Sequence, residues 1–340
     1  MSEKRKVTII AEAGVNHNGD FRRAVEMIDV AADAGVDYVK FQTAVPELLV
    51  AANAPKADYQ KDTTGAAGGQ LDMLRNILLP LDDFARLAEH CHKRGVGFLS
   101  TPFDLVSIDV LDALKMDFWK IPSGEITNLP YLRKIASKGG SVVLSTGMSS
   151  PAEIADAVDV LTAGGIPLAD ITLLHCNTEY PTPFADVNLR AMLSLKSFGV
   201  GAVGYSDHTL GISVPVAAVA LGARVVEKHF TLDKNLPGPD HRASLDPSEL
   251  RAMVKAIREI EQALGSDVKT VTPSEAKNIT AARKSIVAAC GIAAGELLTA
   301  DNLAVKRPGG GISPMLWDKV VGTAAIRDFS PDEMIEGNFY

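Results

Sequence analysis

The sequence predicts an α/β protein: a (β/α)8 TIM barrel followed by a small β-rich unit. Three observations carry that prediction. Eight short β-rich runs recur between Val7 and about Pro273, each ending in polar residues and leading into helical spacing. Several helical segments stop at glycine, as at Ala34-Gly35, Arg94-Gly95 and Leu221-Gly222, where a helix C-terminus expects one. Beyond Leu264 the pattern changes to short alternating runs split by turns. Eight strand–helix units in about 265 residues match the size of such a barrel. An open doubly wound sheet usually has fewer strands and a glycine fingerprint after the first. Here AEAGVNHNGD (11–20) does not fit GxGxxG.

The predicted strands are VTIIAE (7–12), DYVKFQT (37–43), VGFLSTP (96–102), DFWKIPS (117–123), SVVLSTG (141–147), ITLLHC (171–176), GAVGYSD (201–207) and RVVEKHF (224–230). Helices are predicted between them, for example over 22–34, 81–94, 151–163 and 212–221, with Asn16 and Asn18 capping the first. One connection, from Thr43 to Val96, is unusually long. Its glycine-rich 61–70 portion reads as a mobile surface loop, and it leaves the end of strand 2, where it could lie over the barrel mouth. The barrel is expected over 1–265, a polar linker over 266–280, and the β-rich unit over 281–340. A unit of about 60 residues is marginal by itself and is expected to lean on something.

Composition narrows the function classes. Of 340 residues, 46% are hydrophobic and 22% charged, which is globular rather than disordered. The net charge is −8 and Lys and Arg are dispersed, against a nucleic-acid surface. Cys91, Cys176 and Cys290 are far apart and odd in number, so no disulfide framework is implied and a reducing cytoplasm fits. The basic start is followed by only a brief apolar run, which reads as a first strand and not a signal peptide. No apolar run approaches the roughly 18 residues of a membrane span.

Chemistry gathers at the predicted strand ends: Glu12, Lys40 with Gln42, Thr101, Lys120 with Ser123, Thr146, Asn177, Asp207 with His208, and Glu227 with His229. Active sites of such barrels sit at that edge. Strand parity lets Glu12, Lys40, Gln42, Glu227 and His229 share one mouth and turns Lys228 the other way. Two imidazoles arriving with carboxylates suit a divalent cation. Two lysines with the hydroxyls of Thr101 and Ser123 suit an anionic substrate, phosphate or carboxylate. Each feature has a plainer reading: a hydrogen-bonded structural histidine, a solvated rim lysine. His175 reads as core, His17, His90 and His92 as helix-surface or cap-loop residues, and Pro308–Gly311 as a turn.

IAEAGVNHNG, VKFQT, FLSTPFD, WKIPSGEITNLPYL, VVLSTGMS, LHCNTEYPTPFADVNL, GYSDHTLG, EKHFTLDKNLPGPDH, ARKSIVA and KRPGGGISPM together span almost the whole chain. They resemble the sialic acid synthase family, its bacterial N-acetylneuraminate synthases in particular. The resemblance implies a barrel followed by an SAF (antifreeze-like) domain, and a homodimer in which that domain covers the partner's barrel mouth. It implies condensation of phosphoenolpyruvate with N-acetylmannosamine and water, giving N-acetylneuraminate and phosphate, with Mn²⁺ or Mg²⁺. By motif, His208 and His229 resemble the metal ligands. Lys40, Thr101, Lys120, Ser123, Ser206 and His229 resemble the phosphoenolpyruvate contacts. Glu12, Gln42, Tyr180 and Asp240 resemble residues of the sugar side and of proton transfer. Arg307 resembles the arginine that a partner's small domain offers to the N-acetyl group. Either Asn177 or Thr178 is the ligand contact next to Cys176.

Three other readings compete. A legionaminate-type synthase keeps the mechanism and takes a 2,4-diacetamido-2,4,6-trideoxyhexose. A Schiff-base sialate aldolase needs an inward lysine, for which Lys40 and Lys120 qualify and Lys228 has the wrong parity. A non-enzyme would use the small domain as an ice- or sugar-binding module, which leaves the polar strand ends unexplained.

Overall fold

A computed structural model describes residues 6–65 and 67–339; the start of the chain, residue 66 of the long connection and the last residue lie outside them. The contacts divide the chain into two units, Met1–Gly265 and Ser266–Tyr340. The first unit is a barrel of eight parallel strands: β1 (Thr8–Gly14), β2 (Tyr38–Thr43), β3 (Gly97–Pro102), β4 (Phe118–Ile121), β5 (Ser141–Ser145), β6 (Ile171–His175), β7 (Ala202–Asp207) and β8 (Val225–His229). These are the eight runs read from the sequence, to within about two residues at either end.

The strand order is β3-β2-β1-β8-β7-β6-β5-β4. Among the described residues β3 and β4 pack side by side without a hydrogen-bonded ladder. Side chains stitch that seam. The Tyr38 ring of β2 lies across Gly97 of β3 and meets Phe118 of β4 edge-on at 5.1 Å, while its hydroxyl donates to Asp117 at 2.7 Å. Gly97 makes the crossing possible, because a Cβ there would stand 2.2 Å from Tyr38 Cδ1.

The barrel interior is layered. Ile10, Leu99, Val143, Leu174 and Val225 form an apolar plug with Tyr38 and Phe118 packed against it. Two residues further along each strand, on the same face, stand Glu12, Lys40, Thr101, Lys120, Ser145, Cys176 and Glu227. β7 contributes Gly204 to the plug, where a Cβ would collide with Val225 O at 2.3 Å, and then Ser206 above it. The sequence period of two thus builds an apolar floor under a polar layer.

A larger core, including Ile9, Val39, Phe41, Ile121, Leu144 and Val226, joins the outer strand faces to the surrounding helices. Helix Phe21–Ala34 is capped by Asp20, whose carboxylate accepts from the N–H groups of Arg22 and Arg23. Asn16 and Asn18 are not its caps: Asn16 is buried, donating to Phe230 O and Ser244 Oγ, and Asn18 takes a left-handed conformation in the preceding turn. His17 likewise is buried rather than on a surface. Helix Pro247–Ala263 closes the unit with a capping box, Asp246 with Glu249.

The long connection after β2 is not an open loop. It carries helices Pro46–Leu49, Asp58–Thr64 and Gln70–Ile77. Leu71, Leu74 and Ile77 recur at three-residue spacing and are buried; Met73, Leu74 and Ile77 join Val15 in a satellite core with Leu49, Val50 and Leu78 against it. The glycines at 65, 68 and 69 lie between helices rather than in a free strand of chain.

In the second unit β9 (Ser285–Ala288) pairs antiparallel with β10 (Leu303–Lys306). Single bridges such as Val287 to Met334 and Ile292 to Phe329 extend the pairing. Ile286, Ile292, Leu298, Leu303, Val320 and Phe329 are part of its own core. Short helices Pro273–Ala276 and Ile279–Ala282 occupy much of the stretch read as a linker. Among the described residues no helix is long and apolar enough to cross a membrane.

Candidate active site

The polar layer and the C-terminal strand ends surround a cavity of about 290 Å³. Of the residues picked from sequence, it is lined by Glu12, Lys40, Gln42, Thr101, Lys120, Ser123, Tyr180, Ser206, His208, His229 and Asp240. Asn177 is not among them, whereas its neighbour Thr178 is. Asn177 Oδ1 instead accepts from Glu179 N–H at 2.8 Å, folding the β6 loop on itself. Arg307 belongs to the second unit, where it is exposed and its Nε donates to Ala282 O at 3.0 Å.

Two buried ammonium groups dominate the floor. Lys40 Nζ donates to Thr101 Oγ1 at 2.8 Å and lies 2.7 Å from Glu12 Oε2. Lys120 Nζ donates to Ser145 Oγ at 2.8 Å. Glu227 Oε1 sits between the lysines, 3.9 Å from Lys40 and 3.6 Å from Lys120, and accepts from Ser206 Oγ. Burial lowers the Lys120 pKa, opposed chiefly by Glu227. The two carboxylates are driven apart. Burial pushes Glu12 up to about 7 in spite of Lys40, with Glu227 adding to the rise. Glu227 is held below its usual value, since the two lysines outweigh the burial that acts against it. A pair separated in this way supplies one fixed charge and one proton carrier.

Beside the lysines, Ser123 Oγ accepts from Gly147 N–H at 2.9 Å and lies 3.1 Å from Cys176 Sγ. Gly147 has no room for a side chain: a Cβ would come within 2.7 Å of Thr178 Cγ2, 2.8 Å of Cys176 Sγ and 2.9 Å of Ser123 Oγ. A hydroxyl, a thiol and a backbone turn are thereby held around one corner of the cavity.

The histidines form the opposite wall. Their rings lie 5.4 Å apart at 62°. His208 Nδ1 bonds the carbonyl of Asn177, which fixes its proton there and leaves the Nε2 lone pair to accept from Tyr180 O–H at 2.9 Å. Burial pushes His208 down to about 4; burial, then the repulsion the two imidazoles would feel if both were protonated, then the charges of Lys40 and Lys228, hold His229 well below the usual imidazole value. Both rings are therefore neutral, the form that binds a metal. His229 Nδ1 is buried with no hydrogen bond and lies 3.8 Å from Asp240 Oδ2. Burial raises Asp240 to about 7. Among the described residues no three His, Cys, Asp or Glu side chains converge as a metal cage. Two neutral imidazoles on one wall do fit a divalent ion that takes its remaining ligands from water and substrate.

Several lining residues escaped sequence reading. Ser145, not Thr146, points inward from β5; Thr146 Oγ1 turns to Leu174 O. Cys176, not Asn177, is the inward residue after β6. Counting in twos from Val143 and Leu174 would have found both. Tyr59, stacked on Tyr180 at 5.1 Å, and the apolar wall of Leu49, Val50, Met73, Leu74 and Ile77 come from the long connection. No sequence period aims that segment at the site.

Residues 27–269 match the NeuB family model and residues 283–338 the SAF domain. The chain is 50% identical to an N,N'-diacetyllegionaminic acid synthase of Campylobacter jejuni, across 97% of this chain and 99% of that one. It is 45% identical to the N,N'-diacetyllegionaminic acid synthase of Legionella pneumophila, across 95% and 91%. A crystal structure of N-acetylneuraminic acid synthetase from Leptospira borgpetersenii, in complex with citrate, superposes with a TM-score of 0.70 at 35% identity, covering 81% of this chain and 91% of that one. With that barrel, that SAF domain and these relatives, the chain belongs to the NeuB family, the synthases of sialic, legionaminic and related acids.

Proposed function

We propose that the protein condenses phosphoenolpyruvate with an acylated amino-hexose and water, releasing phosphate, and that its acceptor is a 2,4-diacetamido-2,4,6-trideoxyhexose, so that the product is a legionaminate. The observation that carries the reaction is the pair of buried ammonium groups, each with a hydroxyl at 2.8 Å, beside two neutral imidazoles. Phosphoenolpyruvate carries a carboxylate and a phosphate, and two fixed cations with hydroxyl donors are what such a dianionic skeleton needs.

In this reading Lys40 with Thr101 and Lys120 with Ser145 and Ser123 hold the enol phosphate. Its C3 attacks the aldehyde carbon of the open-chain sugar. Water adds at C2, and phosphate leaves with cleavage of the C–O bond. His208 and His229 hold Mn²⁺ or Mg²⁺, which when bound supplies Lewis-acid polarisation of the aldehyde oxygen. Glu12 and Asp240, both raised to about 7 by burial, give and take the protons of aldehyde and water. Ser206 keeps Glu227 in place between the lysines.

The acceptor assignment reverses the order of preference that the sequence alone suggested. Two legionaminic acid synthases stand among the relatives at 45% identity or more. The cavity wall formed by Val15, Leu49, Val50, Met73, Leu74 and Ile77 is apolar. A 6-deoxy methyl and a second acetamido methyl bury favourably on such a wall, at about 0.8 kcal/mol per carbon, whereas hydroxyls there lose hydrogen bonds to water. Lys40 and Lys120 are the only Lys or Arg side chains lining the cavity among the described residues, and both serve the enol phosphate, so a phosphorylated acceptor has no partner of its own.

A homodimer, with the SAF domain and Arg307 of one copy over the other's mouth, belongs to the same proposal. What supports it is a set of exposed apolar side chains on the segments that follow the strands, Leu48, Leu105, Met148, Phe184 and Leu210.

The test is phosphate release from phosphoenolpyruvate with the diacetamido-trideoxyhexose, N-acetylmannosamine, its 6-phosphate or no sugar, each with Mn²⁺ or EDTA. Release should be fastest with the first sugar and abolished by EDTA. Faster release with N-acetylmannosamine refutes the acceptor assignment. Turnover that survives EDTA, with pyruvate trapped on a lysine by borohydride, replaces the synthase by an aldolase.

A further inference from the structure

Behind the two histidines, on the opposite strand faces, lies an ion pair with no exposure to solvent: Lys228 and Asp207 are both 0% exposed. The ladder sets Asp207 directly opposite Lys228 as the last register pair of β7 and β8. Each is the residue immediately before an imidazole, Asp207 before His208 and Lys228 before His229. Lys228 Nζ donates to Asp207 Oδ2 and also to the carbonyl of Thr209. One ammonium group therefore grips the residues on both sides of His208. Asp207 closes the knot by accepting from Thr209 N–H at 3.2 Å and Thr209 Oγ1 at 2.9 Å.

The energetics argue against stability as the reason for this pair. Withdrawing two charges from water costs several kcal/mol per ion, and well-packed neutral residues hold two strands together as well or better. What a buried charge pair does give is a single allowed arrangement. A one-residue slip of β8 against β7 would turn Glu227 and His229 away from the cavity, and a slip of β7 would do the same to Ser206 and His208. Either slip would bring one member of the ion pair into the barrel without its partner. His229 Nδ1 has no hydrogen bond of its own to orient the ring, so the direction of that imidazole depends on where the β8 backbone is held.

We propose that Lys228 and Asp207 are positioning residues for the metal: their ion pair, tied through Thr209, sets the spacing and direction of His208 and His229. This rests on the reading of those two histidines as metal ligands. Neither residue lines the cavity, and the pair acts only through the backbone on either side of the imidazoles.

The experiment compares full-length protein with the double variant Asp207→Asn/Lys228→Met, which removes both charges and leaves neither buried alone. Mn²⁺ binding is titrated by the loss of the free-ion electron paramagnetic resonance signal. Thermal unfolding and phosphoenolpyruvate binding in EDTA are measured alongside. Mn²⁺ affinity should fall at least about tenfold, the scale found when partners behind metal ligands are removed. Phosphoenolpyruvate binding, carried chiefly by Lys40 and Lys120 on β2 and β4, should fall by much less than the Mn²⁺ affinity. Equal Mn²⁺ affinity in a folded double variant overturns the proposal, and so does a parallel loss of phosphoenolpyruvate binding, which would mark general loosening. If the double variant does not fold, Thr209→Val decides: it removes one hydrogen bond to Asp207 and no charge, a smaller loss of Mn²⁺ affinity is expected, and none overturns the idea. Absence of Mn²⁺ binding by the unaltered protein refutes the metal reading itself.

Discussion

A single atom's worth of space decides much at the residue scale. Gly147 lets its own N–H reach Ser123 Oγ while Cys176 and Thr178 close around it. In Gly147→Ala the new methyl must displace Ser123, Cys176 or Thr178, all three of which line this corner of the cavity. The KM for phosphoenolpyruvate should rise about tenfold, roughly 1.4 kcal/mol of lost binding, with little change in melting temperature. An unchanged KM would show that this corner takes no part in holding the anion. The residues that sequence reading found here, Lys40, Lys120, His208 and His229, are those whose chemistry stands out in any context. Ser145 and Cys176 were passed over because a serine or a cysteine at a strand end draws attention only when its facing is known.

Elements were legible where period and punctuation agreed. Each strand emerged from an apolar run closed by polar residues, and the glycines at 35 and 95 do take the left-handed conformation that ends a helix. The first helix cap was misjudged because two asparagines precede the aspartate that does the work, and tertiary contacts claim both: Asn16 with Phe230 and Ser244, Asn18 with Pro237. The 61–70 stretch was misjudged because its glycines sit between two of the connection's three helices, the second of which, Gln70–Ile77, buries Leu71, Met73, Leu74 and Ile77. Gly97 offers a test of strand packing. Gly97→Ala sets a methyl against the Tyr38 ring and should destabilise the barrel by about 1–3 kcal/mol, as overpacked sites do. In a Tyr38→Ala background the same change should cost much less. Equal penalties in both backgrounds would remove Tyr38 from its crossing role.

At the N-terminal face of the first unit one carboxylate ties the first strand to the last helix. Asp37 accepts from Ile9 N–H at 2.8 Å, Lys6 Nζ at 2.7 Å and Arg258 of the last helix at 2.7 Å, while Arg258 also reaches Val7 O. Burial acts to raise the Asp37 pKa, but the hydrogen bonds from Lys6, Ile9 and Arg258 outweigh it and the net shift is downward. Its contribution to stability is therefore complete above the unfolded value of about 3.9 and is lost as pH falls through the lower folded value. Urea unfolding of Asp37→Asn and the unaltered protein should differ most near neutrality and converge in acid. A gap independent of pH would mean that the charge of Asp37 contributes nothing. None of this was visible in the chain: Asp37, Lys6 and Arg258 are ordinary surface residue types, brought together only when the last helix packs beside the first strand.

The seam between β3 and β4 gives the cavity a mechanical character. Seven sides of the ring are joined by backbone ladders and the eighth only by side chains. Lys40 and Thr101 stand on one lip of that split ring, Lys120 and Ser145 on the other. In the proposed reaction an anion gripped by both lysines would clasp the two lips together, supplying from outside the cross-link that the backbone omits.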